Sequence, residues 1–337
     1  MKDVSSLKTK IHYPVMLTEV LEICEPQKGG VFLDCTFGVG GYTNALLSFP
    51  KTSVIAIDRD ANSKKYANII KKNFKKRFHF YNQKFSELDK AVKNKLKVDF
   101  VIFDLGLSSL QISDLKRGFS FKSNDRPNMC MGLNSISGEQ VLNNLDLKTL
   151  KDIIKHLGEE RFAFKIASNI VKQRKQKSIN SVTDLVNIIK KSKKRDFNKK
   201  INISTKTFQA IRIFVNKEIS ELIEGLITAS KVLNDGGKII VVTFHSIEDR
   251  IVKYFFSNFS SNKSIGSRYF PDISKKNILF NDYNKKIIKP SAREITINKA
   301  SRSAKIRFAV RSKDKFFYPE EFKKRFVRYL ELENKYV

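Results

Sequence analysis

The segment from Val31 to Gly41, VFLDCTFGVGG, constrains the fold more than any other part of this 337-residue chain. It begins as an apolar strand and ends in a glycine-rich loop, and a second apolar strand, Val54 to Ile57, ends directly before Asp58. Glycines let a backbone turn sharply and approach a ligand closely, and a helix that follows such a loop offers unpaired N–H groups. The pattern predicts an α/β domain that binds the adenosine part of a cofactor.

Two positions narrow the choice of cofactor. Asp58 lies 18 residues after Gly40, where a carboxylate can accept hydrogen bonds from both ribose hydroxyls. A dinucleotide-binding loop has a third glycine beside the pyrophosphate, but this chain has Thr43 there. S-adenosylmethionine contains no pyrophosphate, so the loop favours it over a nicotinamide dinucleotide. The oxidoreductase class is disfavoured for the same reason. A strand, turn and helix without any ligand is the plainer alternative, because short glycine motifs often match by chance.

The charge of the chain favours a polyanionic partner. There are 65 Lys and Arg against 34 Asp and Glu, which gives a formal net charge of +31. Nucleic acid is the natural counterpart, although a generally lysine-rich composition would give the same excess. Three cysteines and four scattered histidines form no metal-ligand motif, so we expect neither a metal site nor a disulfide framework. No segment reads as a membrane span or signal peptide, which favours the cytoplasm.

The order of the predicted elements indicates an interrupted α/β domain. Strands alternate with helices up to Leu105, which predicts a parallel sheet with helices on both faces. Only helical periodicity is visible after that, until the strand Lys238 to Phe244 resumes the sheet. We expect a Rossmann-like core in two parts, residues 1–107 and 206–337, and an inserted helical substrate-recognition domain at 108–205.

The second core part and the insert carry further predictions. The core should contain a long helix at 206–233 and an irregular stretch at 258–290. A last strand at 305–310 and a polar terminal helix at 320–333 should follow. In the insert, twelve basic and two acidic residues lie between Lys165 and Lys200. This run is interpreted as a surface for RNA phosphates, and a merely solvated helix face is the alternative.

Polar residues that follow predicted strands are the candidate catalytic groups, because ligands bind there in open α/β sheets. Besides Asp58 these are Asp104 and His245. Asp104 can accept a hydrogen bond from a substrate amine, or it can cap the following turn. His245 is a candidate base, although Ser246 and Asp249 also have the spacing of a capping box.

Candidate substrate contacts lie on the long helix and in an aromatic loop. Gln209, Arg212 and Asn216 share one helix face, beside an apolar stripe that suits the core. Arg117 and Phe119 belong to the stretch RGFSF, whose arginine and rings can stack on bases. Burial of these rings under the insert is the alternative.

Eight sequence blocks, in the same order and spanning residues 11–311, resemble the bacterial small-subunit ribosomal RNA cytosine-N4 methyltransferase family, RsmH or MraW. They are HYPVMLTEV from His12, DCTFGVGGYT from Asp34, FDLGLSSLQ from Phe103, RGFSF from Arg117, GEERFA from Gly158, TKTFQAIRIFVN from Thr205, TFHSIEDR from Thr243 and SRSAKIR from Ser301.

The resemblance implies a class I methyltransferase fold with a helical insert. It implies that S-adenosylmethionine is the methyl donor and that the acceptor is the N4 amine of a decoding-centre cytosine in 16S ribosomal RNA. The partner would be the free RNA or the assembled small ribosomal subunit. Family positions that contact the cofactor correspond here to Gly40, Gly41, Tyr42, Asp58, Phe85, Asp104 and Gln111.

Chemistry and resemblance together make Asp104 the central candidate. The cytosine amine is a poor nucleophile because its lone pair is delocalised into the ring, so an enzyme must hold its N–H groups and place the methyl carbon in line. Many amine methyltransferases use adjacent prolines and an aromatic residue for this purpose, and this chain has no adjacent prolines. We expect Asp104, helped by the insert or His245, to orient the amine.

The chain departs from the family pattern in two places. Tyr42 stands where the family usually has histidine. The stretch Asp125 to Gly132, DRPNMCMG, is typically GPLDMRMD, so Asn128, Cys130 and Gly132 replace three charged residues. A non-catalytic ribosome-binding assembly factor with the same fold is therefore the alternative to an active enzyme.

Overall fold

The computed structural model describes residues 13–92, 97–193, 202–260, 266–267, 270–271 and 277–335. The chain divides into two compact units. The first consists of Met1–Gly106 and Leu222–Phe322, and the second of Leu107–Glu221 and Lys323–Val337. His12 of the first family block and residues 194–200 of the basic run lie outside the described residues.

The first unit is built on a seven-stranded sheet, which confirms the predicted α/β class. The described strands are β1 (Gly30–Asp34), β2 (Thr52–Ile57), β3 (Phe78–Tyr81), β4 (Val98–Asp104), β5 (Leu233–Thr243), β6 (Gly266–Ser267), β7 (Phe270–Pro271), β8 (Phe280–Tyr283) and β9 (Lys305–Arg311). The sheet order is β3-β2-β1-β4-β5-β9-β8, and β6 pairs only with β7. The five strands from β3 to β5 are parallel, whereas β9 runs antiparallel to β5 and β8.

The described α-helices divide between the two units. They are α1 (Leu17–Cys24), α2 (Gly41–Leu47), α3 (Lys64–Asn73), α4 (Leu88–Ala91), α5 (Ser109–Ser113), α6 (Gly138–Asn144), α7 (Leu147–His156), α8 (Ala163–Gln176), α9 (Val182–Ser192), α10 (Thr205–Asn216), α11 (Glu218–Val232), α12 (Ser246–Asn258), α13 (Ala292–Ile297), α14 (Glu320–Arg325) and α15 (Val327–Asn334). No described helix is both long and apolar enough to cross a membrane.

The apolar runs of the sequence explain the core of the first unit. Parallel strands are covered on both faces, so they need continuous apolar side chains rather than an alternation. Phe32 of β1, Val54 of β2 and Ile102 of β4 are fully buried. They belong to one core cluster with Tyr42 and Leu46 of α2. Because β1, β2, β4 and β5 are parallel, their carboxyl ends lie along one edge of the sheet.

In the described part of 108–205 the regular secondary structure is helical, and residues 118–137 form an irregular stretch between α5 and α6. α7 packs on α8 and α10, and α8 also packs on α9. Side-chain caps begin two of these helices: Asp146 accepts the N–H of Thr149, and Ser181 accepts that of Asp184. Such caps satisfy N–H groups that have no partner within the helix.

The expected boundary at residue 205 is wrong, and so is the single helix 206–233. Lys217 has a left-handed conformation, with φ 50°, and separates α10 from α11. α10 packs on α6 and α7, so it belongs to the second unit with the insert, and the boundary lies after Glu221. Apolar periodicity continues across Lys217, which is why the pattern hid the break.

The other differences concern the C-terminal part. The expected helix 320–333 is two helices, α14 and α15, which Phe326 separates. The first ends near the boundary of the first unit, and α15 belongs to the second. The stretch 258–290 is not irregular throughout, because Phe280–Tyr283 forms β8 at the sheet edge. This strand is short and carries Asn and Asp, which disfavour strands.

Candidate active site

The glycine loop between β1 and α2 has the backbone shape that the sequence predicted. Gly38 and Gly40 have φ values of 55° and 82°. A Cβ on Gly40 would lie 2.5 Å from Ile70 Cδ1 and 2.8 Å from Phe37 Cε2. At Gly41 a Cβ would lie 2.4 Å from Pro14 Cγ. Both glycines are thus required by neighbouring protein atoms, independently of any ligand.

Asp58 follows β2 and binds this loop. Its carboxylate accepts the N–H of Gly38 at 2.7 Å, the N–H of Asp60 at 2.8 Å and the hydroxyl of Ser63 at 2.9 Å. Burial raises the pKa of Asp58, and these three donors oppose that rise. A carboxylate has about four acceptor positions, so capacity remains for a ribose hydroxyl.

Asp104 and Asp34 end the adjacent strands β4 and β1, and both are carboxylates with raised pKa. Asp104 Oδ1 is buried and receives no hydrogen bond from any residue that the structure describes. Burial and the charges of Asp34 and Glu248 hold the pKa of Asp104 well above its usual range. Burial raises the pKa of Asp34 to about 6, although Thr43 Oγ1 donates to it at 2.7 Å.

Thr36 positions Asp104 through the backbone. The Asp104 N–H donates to Thr36 Oγ1 at 2.7 Å, and the Thr36 N–H donates to Asp34 Oδ1 at 3.2 Å. The loop after β1 is thereby bonded to the end of β4. An acceptor that is buried without a donor is costly, and in a native protein such a group indicates a ligand or catalytic role. The Asp104 carboxyl is prepared for a hydrogen-bond donor from outside the chain.

His245 follows β5, at the same edge of the sheet as Asp104, and it begins α12 as its N-cap. The sequence suggested a box of Ser246 and Asp249, but the capping box is His245 with Glu248. Glu248 Oε2 accepts the N–H groups of Phe244 and His245 at 2.8 and 3.3 Å. His245 Nε2 lies 3.0 Å from Glu248 Oε1, without the alignment of a hydrogen bond.

Asp249 has a structural role instead of capping the helix. Its carboxylate accepts hydrogen bonds from Lys305 at 3.0 Å and Arg307 at 2.6 Å, both on β9. These cations lower the pKa of Asp249 against the effect of burial. Of the two acidic residues in the TFHSIEDR block, Glu248 therefore caps α12 and Asp249 bonds the antiparallel strand β9.

Tyr42 is buried, with 4% of its surface exposed, and its hydroxyl donates to the carbonyl of Val15. Burial raises the pKa of Tyr42 well above its ordinary value. The segment that contains Val15 is also held by Glu294, which accepts the Met16 N–H at 2.8 Å, and by Asn298, which donates to the Tyr13 carbonyl at 2.9 Å. The first family block is thus bonded, beside the glycine loop, to residues that lie just before the last block.

Phe85 lies in a 3₁₀ turn after β3. Its ring contacts Phe103 edge to face, with centroids 5.5 Å apart. A Cβ on Gly225 of α11 would lie 2.8 Å from the Phe85 ring, so the glycine makes room for it. Phe85 is half-buried, which leaves part of the ring available to a cofactor.

In the second unit, Gln111 begins α5 in a capping box with Ser108. The Ser108 N–H donates to Gln111 Oε1 at 3.0 Å, and the Gln111 N–H donates to Ser108 Oγ at 3.3 Å. Arg117 donates to the carbonyl of Cys130 at 2.7 Å and stacks over Phe119 at 5.5 Å. Phe119 is only 6% exposed, so burial, the alternative weighed for this ring, is what the structure shows.

Asn216 is not a substrate contact. It is 1% exposed, and its Oδ1 accepts the Met131 N–H and the Asn134 amide, both at 2.8 Å. Its Nδ2 donates to the carbonyls of Met129 and Arg212, also at 2.8 Å. The buried position of Asn216, which the helix-face pattern did not reveal, makes it an anchor for the segment 129–134.

The other two residues of this helix face are half-buried. Gln209 donates to the carbonyl of Leu157 at 3.3 Å. Arg212 forms a bidentate ion pair with Glu218, with both N···O distances 2.8 Å. The pair joins α10 to α11 across the left-handed residue between them. Contact of Gln209 and Arg212 with a substrate stays a prediction.

Part of the basic run is also used internally. Lys193 is 11% exposed and pairs with Glu160 Oε2 at 2.5 Å. Arg174 donates to the carbonyl of Leu142 at 2.9 Å. Among the described residues of the run, Lys165, Lys172, Lys175 and Lys177 are exposed instead.

Comparisons with known proteins identify the family. The sequence profile of the MraW methylase family matches residues 9–312. The ribosomal RNA small subunit methyltransferase H of Ehrlichia canis (strain Jake) is 43% identical over 301 residues, which cover 88% of this chain and 98% of that protein. The protein of the same name from Rickettsia canadensis (strain McKiel) is 42% identical over 301 residues, covering 88% and 97%. This chain belongs to the MraW methylase family.

Family membership confirms the predicted enzyme class and cofactor. The chain is a methyltransferase that uses S-adenosylmethionine. Among solved structures, a ribosomal RNA methylase from Streptococcus thermophilus overlaps with a TM-score of 0.38 at 9% identity, over 87% of this chain and 95% of that chain. That overlap is too loose to bear on function.

The residues at the carboxyl edge of the sheet fit this cofactor. The glycine loop keeps side chains away from the backbone, and Asp58 retains acceptor capacity beside it. The unpartnered Asp104 oxygen lies at the end of β4, the strand next to β1. Inspection of residues at strand ends missed Asp34, although it ends β1 in the same way that Asp104 ends β4. It also missed Glu248, although both affect Asp104 directly.

In segment 125–132, where this chain departs from the family pattern, the replacing residues take part in local turns. Asn128 Oδ1 accepts the Cys130 N–H at 3.0 Å, as an aspartate can in the same type of turn. Gly132 has φ 122°, a conformation that suits glycine better than the aspartate of the family pattern. Arg117 bonds the carbonyl of Cys130, so a guanidinium remains next to the position where the family has arginine.

Proposed function

We propose that this enzyme transfers the methyl group of S-adenosylmethionine to the N4 amine of a decoding-centre cytosine in small-subunit (16S) ribosomal RNA. Family membership and the names of the two bacterial relatives support the reaction and the RNA. The observation that carries the proposal within this chain is the buried, unpartnered Oδ1 of Asp104 at the end of β4. The raised pKa of Asp104 supports the same assignment.

The chemistry of the acceptor explains why such a carboxylate is needed. When bound, S-adenosylmethionine supplies a methyl group on a positively charged sulfur. The bond between this sulfur and the methyl carbon breaks readily, because the leaving group is the neutral thioether S-adenosylhomocysteine. Asp104 accepts a hydrogen bond from the N4 amine, which fixes the amine and directs its lone pair towards the methyl carbon. As the N–C bond forms, the amine loses a proton, and a carboxylate of raised pKa accepts it more readily than an ordinary one.

The cofactor contacts are proposed on the same basis. Asp58 accepts a hydrogen bond from a ribose hydroxyl, and the backbone of Gly40, Gly41 and Tyr42 lines the methionine and ribose groups. Tyr42 acts here through its main chain, because its hydroxyl is used by Val15. Phe85 contacts the adenine with its half-buried ring.

Gln111 and the remaining candidates complete the proposal. Gln111 contributes to cofactor binding beyond its cap of α5. His245 assists the orientation of the amine. Arg117, Gln209 and Arg212 contact the RNA, whereas Phe119 and Asn216 position the segment that Arg117 bonds. The departure at Asn128 does not favour the assembly-factor alternative, because its Oδ1 accepts the Cys130 N–H as an aspartate can.

The assembled small ribosomal subunit, rather than free RNA, is the proposed substrate form. A decoding-centre cytosine acquires its final surroundings only in the folded subunit, and a chain of formal charge +31 can bind the phosphates around it. Ribosomal RNA as substrate supports the cytoplasmic location that the sequence predicts.

Substitution of Asp104 tests the proposal. Methyl transfer from S-adenosylmethionine to small subunits that lack the modification is measured with the purified protein and with Asp104→Ala. We expect a loss of about 100-fold or more, in line with the contribution of a positioned acid or base. Thermal unfolding should be unchanged or slightly improved, because an unpaired buried carboxyl is removed.

The matched control is Asp235→Asn, an exposed carboxylate on the same sheet, which should transfer methyl groups at the wild-type rate. Near-normal turnover of Asp104→Ala would reject the assigned role. Binding of the wild-type protein to small subunits without any methyl transfer would favour the assembly-factor alternative.

A further inference from the structure

Two aromatic rings are exposed at the start of α8, where no folding role explains them. Phe162 is 44% exposed and Phe164 is 64% exposed. Large apolar side chains exposed singly are common, so the two rings indicate a binding surface only together with the exposed cations around them. We call the exposed residues Arg161, Phe162, Phe164, Lys165 and Lys172 the α8 surface.

The packing of α8 explains why these rings face outwards. Ala163, Ile166, Ala167 and Ile170 are at most 3% exposed and form the apolar side of a helix that packs on α7 and α9. Phe164 comes directly after Ala163, about 100° around the helix, and therefore leaves this side. The core of the second unit is complete without the two rings.

The start of α8 is held in place from beneath. Glu160 is 4% exposed, and its Oε1 accepts the N–H of Phe162 at 3.0 Å. Its other oxygen pairs with Lys193 at 2.5 Å. This buried pair fixes the backbone that presents the rings, so little conformational freedom is lost when they bind a partner.

The charged side chains from residue 161 to residue 177 are all basic, and there are six of them. Arg174 is half-buried and bonds the Leu142 carbonyl, whereas Arg161, Lys165 and Lys172 are exposed. Cations beside exposed rings match a strand of RNA, in which phosphates alternate with flat bases. A protein partner or a lipid surface would also bind apolar groups, and the ribosomal RNA substrate of the proposed function is what favours RNA here.

We propose that the α8 surface binds an unpaired segment of the RNA substrate. Phe162 and Phe164 stack on successive or neighbouring bases, and Arg161, Lys165 and Lys172 contact the phosphates between and beyond them. This inference rests on ribosomal RNA being the substrate, and it identifies a recognition surface separate from the residues at the sheet edge. Stacking accepts any base, so the surface contributes affinity rather than sequence choice.

Binding of a single-stranded RNA oligonucleotide and of a fully paired duplex, measured by fluorescence anisotropy, tests the surface. Phe162→Ala and Phe164→Ala should each weaken single-strand binding about tenfold, with a much smaller effect on the duplex. Phe164→Leu keeps an apolar side chain without the ring and should behave like Phe164→Ala. The matched control is Tyr318→Ala, a ring 42% exposed in the first unit, which should change neither affinity.

Three further measurements separate this inference from the proposed function. Affinity for S-adenosylmethionine should be unchanged in the ring variants, while KM for small subunits rises and kcat stays near that of the wild type. Normal single-strand binding by both ring variants would overturn the inference and leave the methyltransferase intact. Normal binding of protein-free RNA with weaker binding of whole subunits would also overturn it, since the partner would then be a protein.

Discussion

At the scale of single residues, the pKa of Asp104 is set by its neighbours. Burial is the largest cause of its rise, and the charges of Asp34 and Glu248 add to it. Only the ionised carboxylate is a full acceptor for the amine, so kcat should rise with pH through the raised pKa of Asp104. The ionised, active form of Asp104 therefore predominates only at pH values above the pKa of an ordinary aspartate.

Asp34→Asn tests this coupling. Removal of the Asp34 charge lowers the pKa of Asp104, so the rising limb of the kcat–pH profile should move to lower pH. At a pH on the rising limb, kcat of the variant relative to its own maximum then increases by about tenfold for each pH unit by which the limb moves. Asp235→Asn serves again as the control with an unchanged profile. An identical limb in Asp34→Asn and the wild type would show that Asp104 does not limit the rate by its ionisation.

Tyr42 allows a second prediction at this scale. Because its hydroxyl bonds the buried carbonyl of Val15, Tyr42→Phe should lower the free energy of unfolding by about 1–2 kcal/mol. Affinity for S-adenosylmethionine should change less than threefold, since the ring and the main chain remain. Chemical denaturation and calorimetry measure the two quantities, and Tyr66→Phe on α3 is a half-buried control. Unchanged stability with a large loss of cofactor affinity would mean that the hydroxyl serves the cofactor instead.

At the scale of elements, α10 organises the segment in which this chain departs from its family. Asn216→Ala would leave the Met131 N–H and the Met129 carbonyl buried without partners. We expect unfolding to become easier by about 2–4 kcal/mol and methyl transfer to small subunits to fall. Exposed Asn187 on α9 offers the control Asn187→Ala, with a change below about 0.5 kcal/mol. Equal stability of the two variants would contradict the anchoring role.

The end of α15 gives a prediction on pH dependence. Glu333 is 1% exposed and accepts the N–H groups of Ile219 and Ser220 at 3.0 and 2.7 Å, at the start of α11. Burial raises the pKa of Glu333 from 4.5 to about 8 in spite of these donors. The folded state therefore holds a proton that the unfolded state releases above pH 4.5, so this contribution to stability is lost as pH rises through 8.

Glu333→Gln, which keeps the shape but does not titrate, should remove that loss. The difference in unfolding free energy between variant and wild type should grow in favour of the variant from pH 5 to pH 9, by a few kcal/mol at most. Exposed Glu331→Gln on the same helix is the control. A constant difference across this range would show that Glu333 is ionised throughout.

The elements also show what the sequence could and could not reveal. Continuous apolar runs such as Val98 to Leu105 predicted the central strands, because a buried parallel strand needs them. The break at Lys217 was hidden, since a left-handed turn without glycine has no strong sequence signal. The buried position of Glu333 depends on residues more than 100 positions away, so local periodicity read its helix as polar.

At the scale of the whole molecule, the candidate site was predicted in part. Strand ends pointed to Asp58 and Asp104, because ligands of open α/β sheets bind there. Buried hydrogen bonds removed Asn216 from the list of substrate contacts, and no pattern within one helix could have shown them. Charge alone indicated nucleic acid, and the exposed rings on α8 favour a stacking surface over a merely solvated one.

The central claim concerns one modified cytosine, and mass spectrometry of small-subunit ribosomal RNA tests it most directly. RNA is compared from cells with the gene, without it, and with the Asp104→Ala gene restored to its place. We expect N4 methylation of one decoding-centre cytosine in cells with the gene, and its absence in cells without the gene or with the Asp104→Ala gene. The same methylated cytosine in all three RNAs would contradict the proposed function.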